Sequence, residues 1–276
     1  MNSKAADDQD LYEIVIAKYG TRTTVRSEVF LNYAFYHEPD GPIGMDYFIW
    51  VIRNTQKTIL VDTGYSPEQG RMRGRTQLAS IEELLTTLGI DPHAVADLIL
   101  THAHYDHAGN LDLFSNAQIT VSHSEMEFWE GKNAAKTLFH HALDENGITA
   151  LQRARSEGRL RTFNGSIEVA PGIEVLEVGG HTPGQCLVKV KTREGNVLLA
   201  SDAVHYYEEL EREMPFSSVA DIVAMYDAFA LIKELTASGE ISSVISGHDP
   251  DTLSRFPQTF STGPLSELFA TIGGAS

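Results

Sequence analysis

Residues 97–110 read D-L-I-L-T-H-A-H-Y-D-H-A-G-N: the apolar run Leu98-Ile99-Leu100 is followed by His102, His104, Asp106 and His107. A short aliphatic run bounded by polar residues has the length of a buried strand. Several polar side chains gathered at the end of such a strand cost kilocalories each unless something binds them. A divalent cation compensates imidazole nitrogens and carboxylate oxygens together, and this donor chemistry suits zinc. Alternate spacing in a turn aims His102 and His104 at one point, and Asp106 and His107 at a neighbouring one. By contrast, His37, His93, His123, His140 and His141 lack that context and read as ordinary surface or core histidines.

Further short runs rich in Val, Ile and Leu recur along the chain: 14–16, 48–52, 59–61, 119–121, 173–178, 187–190, 197–200 and 244–245. Their length and their bounding Gly, Pro, Asp or Asn favour strands. Between them, Leu78, Ile81, Leu84, Leu85 and Leu88 fall at helical steps and stop at Gly89. A second helical pattern runs from Val219 through Ile222, Tyr226 and Phe229 to Leu235, ending near Gly239, and residues 134–158 look helical with a break at Gly147. Strands interleaved with helices make the chain α/β or α+β, with helices covering sheet faces. Two stretches echo one another: Thr58–Gly64 and Asn196–Asp202 each bring an aspartate to the end of an apolar strand.

The 276 residues carry no Pro/Ser-rich divider, so a single domain over 1–276 is expected, with residues 1–10 a loose polar tail. No apolar run reaches the roughly 18 to 20 residues of a membrane span. The acidic N-terminus lacks the pattern of a secretory signal, and the lone Cys186 excludes an intrachain disulfide. Both point to a cytoplasmic protein. With 38 acidic and 21 basic side chains, the net charge of -17 argues against nucleic-acid and anionic-membrane partners. The one basic cluster, Arg71-Met72-Arg73-Gly74-Arg75, reads as a solvated connection.

Three later turns, each after an apolar segment, add donors: His181 in G-G-H-T-P-G, Asp202 in A-S-D-A and His248 in S-G-H-D. With these the chain resembles the metallo-β-lactamase superfamily, whose hydrolases carry H-x-H-x-D-H, then a His in a G-H-T-P-G-like turn, an Asp and a distal His. The similarity spans about Asp62 to His248, in the expected order.

The resemblance implies a four-layer αββα sandwich with a dinuclear site at one edge of its sheets. His102, His104 and His181 would hold one divalent cation, Asp106, His107 and His248 the other, and Asp202 would bridge them. Asp62, in L-V-D-T-G, would orient a ligand imidazole. Two such cations, most simply Zn2+, lower the pKa of water from about 15.7 toward ~7 and provide a nucleophile for an ester-like carbonyl. A bridging aspartate favours lactonase, thioesterase and phosphodiesterase branches, and the N-acyl homoserine lactonase-like group fits best, its substrates being small cyclic esters. That group places a tyrosine three positions after the bridging Asp, where this chain has His205 followed by Tyr206 and Tyr207. Asp106, His205 and Tyr206 are therefore the candidate catalytic groups, and Tyr207 reads as a rim residue.

Substrate walls are expected from Phe30, Tyr33, Phe35 and Tyr36, from Met45, Tyr47 and Phe48, and from Phe128-Trp129, with Tyr33, Phe48 and Tyr206 as the candidate substrate contacts; a homodimer contact is the other use of such aromatics. A glyoxalase II-like thioesterase shares the motifs but adds a C-terminal helical region, whereas 28 residues follow His248 here. An iron persulfide dioxygenase-like oxidoreductase shares the early motif and would bind one iron.

Overall fold

The computed structural model describes residues 10–274. The expected loose tail lies outside that range except for Asp10, whose carboxylate pairs with Lys191 at 2.6 Å.

Two sheets form the centre. The first is built from β1 (Glu13–Val25), β2 (Pro42–Arg53), β3 (Thr58–Val61), β4 (Thr76–Gln77), β5 (Asp97–Ile99), β6 (Gln118–Ser122) and β7 (Leu160–Phe163). The second holds β8 (Ser166–Ala170), β9 (Ile173–Glu177), β10 (Cys186–Thr192), β11 (Gly195–Ser201) and β12 (Ser243–Ser246), and β13 (Phe269–Ile272) returns to the first. The first sheet runs β13-β1-β2-β3-β5-β6-β7 with β4 on β1, and the second β12-β11-β10-β9-β8.

Period-two alternation divides each strand between two cores. Phe48, Trp50 and Ile52 of β2 meet Val188 and Val190 of β10 and Val197 and Leu199 of β11 in the space between the sheets. The alternate residues Tyr47, Ile49 and Val51 face outward with Leu84 and Leu85 of the helix Ile81–Thr87 and Leu151 of the helix Glu145–Ser156. On the other side, Leu187, Leu198 and Ala200 lie under Met225, Phe229 and Ile232 of the helix Ile222–Ala237. The layers are therefore helix, sheet, sheet, helix, the expected αββα sandwich.

Every expected strand forms, while β4, β7, β8 and β13 arise from stretches without a distinct apolar run. Leu78 falls outside its helix because Ser80 caps it with a reciprocal Ser80–Glu83 capping box and fixes the start at Ile81, and Leu88 stands at the C-cap. Between 134 and 158 the chain makes Thr137–His140 and Glu145–Ser156, so the break lies near Asp144, which N-caps the second helix. Gly147 sits inside that helix, where a Cβ would come 2.8 Å from the Ala108 carbonyl oxygen. Gly147 thus permits close packing on the turn carrying Asp106 and His107.

Among the echoing strands, β3 is followed by and β11 ends on a non-glycine residue with positive φ, Asp62 (61°) and Ser201 (45°) respectively. Such conformations cost about 1–3 kcal/mol and persist where surrounding contacts fix them. Structurally, Asp62 thus matches Ser201 rather than Asp202.

Candidate metal centre

β3, β5 and β6 run parallel, as do β11 and β12. The turns after β3, β5, β11 and β12 supply Asp62, His102, Asp202 and His248. After β5 the chain passes through His102 and reaches His104, which stands at the N-cap of the single helical turn Tyr105–Ala108. That turn directs Asp106 and His107 inward, and both are buried.

The donors divide into two groups, His102, His104, His181 and Asp202 in one and Asp106, His107 and His248 in the other, with the ligand atoms of each group within 4.8 Å of one another. The Asp202 carboxylate lies between them. Its Oδ2 is 3.7 Å from His102 Nε2 and 3.3 Å from His181 Nε2, while Oδ1 is 3.2 Å from His107 Nε2 and 3.1 Å from His248 Nε2. Asp106 stands 3.9 Å from His107 Nε2 and 3.8 Å from His248 Nε2.

The far ring nitrogens are anchored. His248 Nδ1 lies 2.7 Å from the Asp46 carbonyl oxygen, His181 Nδ1 2.7 Å from that of Ser218, and His107 Nδ1 2.7 Å from Asp62 Oδ2. Asp62 also accepts from the Thr101 amide and hydroxyl, both at 2.8 Å. With Nδ1 donating outward, each Nε2 keeps its lone pair toward the centre. The buried Nε2 atoms of His102, His107 and His248 and Oδ1 of Asp202 have no hydrogen-bond partner. Such orphans are rare and costly, and cations resolve them. The residues present fit two divalent ions.

Electrostatics agree. Burial pushes the pKa values of His102 and His104 well below the ordinary imidazole value, and that of His181 to about 3, so these rings are neutral, the form that ligates. Burial opposes charge on His107 too, but Asp202, Asp62 and Asp106 outweigh it and raise its pKa. The carboxylates create a potential there that favours positive charge.

The metallo-β-lactamase superfamily model matches residues 44–215, more than half of the 276-residue chain. The chain belongs to the metallo-β-lactamase superfamily. It is similar to an N-acyl homoserine lactonase of Bacillus sp, 29% identical over 227 residues that cover 76% of this chain and 84% of the relative. N-acyl homoserine lactonase AiiB of Agrobacterium fabrum is 26% identical over 217 residues, covering 72% and 78%. Among solved structures, a quorum-quenching N-acyl homoserine lactone lactonase superposes with a TM-score of 0.73 at 23% identity, covering 88% of this chain and 94% of that one. The dizinc lactonase AidC gives 0.67 at 20% identity, covering 96% and 95%. These two likenesses show the fold.

Within this superfamily member, Glu125 ties the centre together, and the sequence reading missed it. Its fully buried carboxylate accepts from the Ala103 amide and Trp129 Nε1 on one oxygen, both at 2.7 Å, and from the Thr182 hydroxyl at 2.7 Å and the Gly184 amide at 3.0 Å on the other. Burial raises its pKa against those bonds. Ser122-x-x-Glu125 reads as a capping box, and Ser122 does cap Glu125, but the carboxylate turns inward instead of back to the cap.

His205 is fully buried, with Nε2 3.1 Å from Asp202 Oδ2 and Nδ1 3.4 Å from Glu209. Burial opposes its charge, but Asp202 and Glu209 bring its pKa up to about 9. Its ring stacks on Phe216 at 3.8 Å, so it buttresses Asp202 rather than facing the cavity. Tyr206 is placed differently from the expectation: its hydroxyl donates to the Gly44 carbonyl at 2.8 Å and its ring joins the core. Tyr207, expected at the rim, is buried under Arg255.

Two connected lobes open onto the donors. The first, about 220 Å³, is lined by Phe128, Trp129, Leu138 and Phe139 with His104 and His181. The second, about 300 Å³, shares those histidines and adds Met45, Tyr47, Tyr105 and three arginines. Phe128, Trp129, Met45 and Tyr47 thus stand where walls were expected. Phe48 instead fills the core between the sheets, because its position on β2 faces inward. Tyr33 is held away by its hydroxyl, which takes Arg26 Nε at 2.8 Å and lies 3.1 Å from the Pro39 carbonyl. His141, read as an ordinary histidine, lines both lobes.

Proposed function

We propose that this protein hydrolyses a lactone at a pair of divalent cations, one held by His102, His104 and His181, the other by Asp106, His107 and His248, with Asp202 shared. The observation that supports this most strongly is the division of the donors about the two oxygens of Asp202. Zinc is the proposed ion, because neutral imidazoles and carboxylates are its ordinary ligands. When bound, the pair supplies Lewis acidity toward the ester carbonyl and a water acidic enough to be deprotonated near neutral pH.

The chain's own residues do the remaining work. Asp62 accepts from His107 Nδ1 and holds that imidazole in the tautomer whose Nε2 lone pair points inward. The Ser218 and Asp46 carbonyls do the same for His181 and His248. His205 stands beside the Asp202 carboxylate with Glu209 behind it, and Glu125 links the loop of His102 to the turn of His181. The lobe under Phe128 and Trp129 shelters an apolar substituent and excludes water beside the reacting ester.

The named activity of the curated relatives makes N-acyl homoserine lactones the first substrates to test. The test is acid release in a pH-stat by zinc-loaded protein, using acyl homoserine lactones of several chain lengths, aromatic lactones and acyl thioesters. Lactone opening that chelator abolishes and zinc restores is the expected result. Cleavage of thioesters with no lactone opened would replace this reading with that of a thioesterase.

A further inference from the structure

We propose that the second lobe recognises an anionic oxygen group, carboxylate or phosphate, carried by the substrate away from its scissile ester; this rests on the lactonase reading above. Arg22, Arg73 and Arg75 line that lobe beside His104, Asp106 and His181. The 71–75 cluster is a solvated connection by its sequence, yet Arg73 and Arg75 are half-buried against the cavity.

These guanidiniums are fixed without a direct ion pair, although Asp144 acts on Arg73 and Asp106 on Arg75 from farther away. Arg73 lies 4.2 Å above the Tyr105 ring and donates from Nη2 to the Leu143 carbonyl at 3.0 Å, while its buried Nε has no partner. Arg75 donates from Nε to the Tyr105 hydroxyl at 3.1 Å and from Nη1 to the Arg73 carbonyl at 2.7 Å. Arg22 donates from Nε to the Met45 sulfur at 3.2 Å. Among the described residues, none of the three forms an ion pair. Elsewhere Arg26, Arg53, Arg153, Arg155, Arg159 and Arg212 each reach a carboxylate, whereas Arg71, Arg161 and Arg255, away from the cavity, show no ion pair among the described residues.

In a chain with 38 acidic side chains, three arginines around one cavity without an ion pair keep part of their forked donors available. Of the acidic groups in the same lobe, Asp106 and Asp202 belong to the donor set, and Glu28 is exposed and accepts from the Thr24 hydroxyl at 2.5 Å. Because both lobes share His104 and His181, one substrate can place its ester at the donors, an apolar group under Trp129 and a charged group among the arginines.

The test compares lactones sharing one ring and linker, ending in a carboxylate, its methyl ester or a phosphate, with zinc-loaded native protein and the Arg22→Gln and Arg75→Gln variants. We expect an anionic lactone to be favoured over the neutral ester. A lost charge-assisted bond predicts a rise of about tenfold to hundredfold in KM for the anionic substrate, with the neutral one changed by less than about twofold. The preference should shrink as salt rises. Whichever anion wins identifies the group; a neutral ester opened as well as both anions, or variants that slow all three alike, overturns the proposal. If no lactone is opened, the lactonase reading fails instead. Calorimetric titration of the metal-loaded protein with the corresponding lactams then decides the inference separately: tighter anion binding lost in Arg22→Gln upholds it, and equal affinities for charged and neutral lactams overturn it.

Discussion

Replacing Glu125 should loosen one half of the centre and leave the other. Ala103 lies between His102 and His104, and Thr182 and Gly184 follow His181, so three of the four bonds to Glu125 hold the histidines of the first donor group in register. Glu125→Ala orphans four donors in a fully buried place; at about 1 kcal/mol or more each, the loss is about 4 kcal/mol or more, a large share of a typical domain's stability. Glu125→Gln is milder. Its amide oxygen can still take Ala103 and Trp129, and the Thr182 hydroxyl can turn to accept, leaving the Gly184 N–H facing another donor at a cost of about 1–3 kcal/mol. Urea unfolding of the zinc-loaded proteins measures the order native, Gln, Ala, and chelator competition measures each ion. The Gln variant should release one ion more readily while retaining the other. An Ala variant within about 1 kcal/mol of native, or equal weakening of both ions, would refute the reasoning.

Asp202→Ala should lower occupancy of both ions together, because each donor group faces one oxygen of that carboxylate; elemental analysis retaining two tightly held ions would contradict the shared role. Gly247→Ala places a Cβ 2.6 Å from the Ser201 carbonyl oxygen and 2.9 Å from Asp202 Oδ1. Overpacking of this kind costs about 1–3 kcal/mol, seen as a lower urea midpoint, and displacement of Asp202 should also reduce metal content. Tyr206→Phe removes a hydrogen bond to Gly44 and should cost about 1 kcal/mol while leaving kcat unchanged. His205→Phe, by freeing Asp202, should lower kcat, and equal rates in the two variants would remove His205 from the account.

The sandwich and its donors were legible because both rest on local, repeated signals. Aliphatic runs at β2, β3, β10 and β11 mark strands, and polar residues placed directly after them are costly enough to require explanation. Strands β7 and β8 were hidden: Leu160–Phe163 and Ser166–Ala170 are polar and largely solvent-facing, and pairing with β6 and β9 makes them strands. The substrate side was misread for a similar reason. Phe48 and Tyr47 are neighbours in sequence, yet alternation sends one between the sheets and the other to the cavity. Glu125, Arg73 and Arg75 take their roles from partners at distant positions, the Arg73 guanidinium from Leu143 and the Glu125 carboxylate from Thr182 and Gly184, and no spacing rule connects them.

The charge distribution joins these observations. A chain of net charge -17 concentrates buried carboxylates where cations are proposed to bind, and places three guanidiniums without an ion pair in the adjoining lobe. Cation-binding and anion-binding surfaces therefore lie side by side, each defined by groups that the fold holds without a complete set of internal partners.

The central claim is tested most directly by anomalous diffraction at the zinc edge from crystals of the zinc-loaded protein. The account predicts two peaks, about 3.5–4 Å apart, one on each side of the Asp202 carboxylate. A single peak, or two that do not share Asp202, would contradict it.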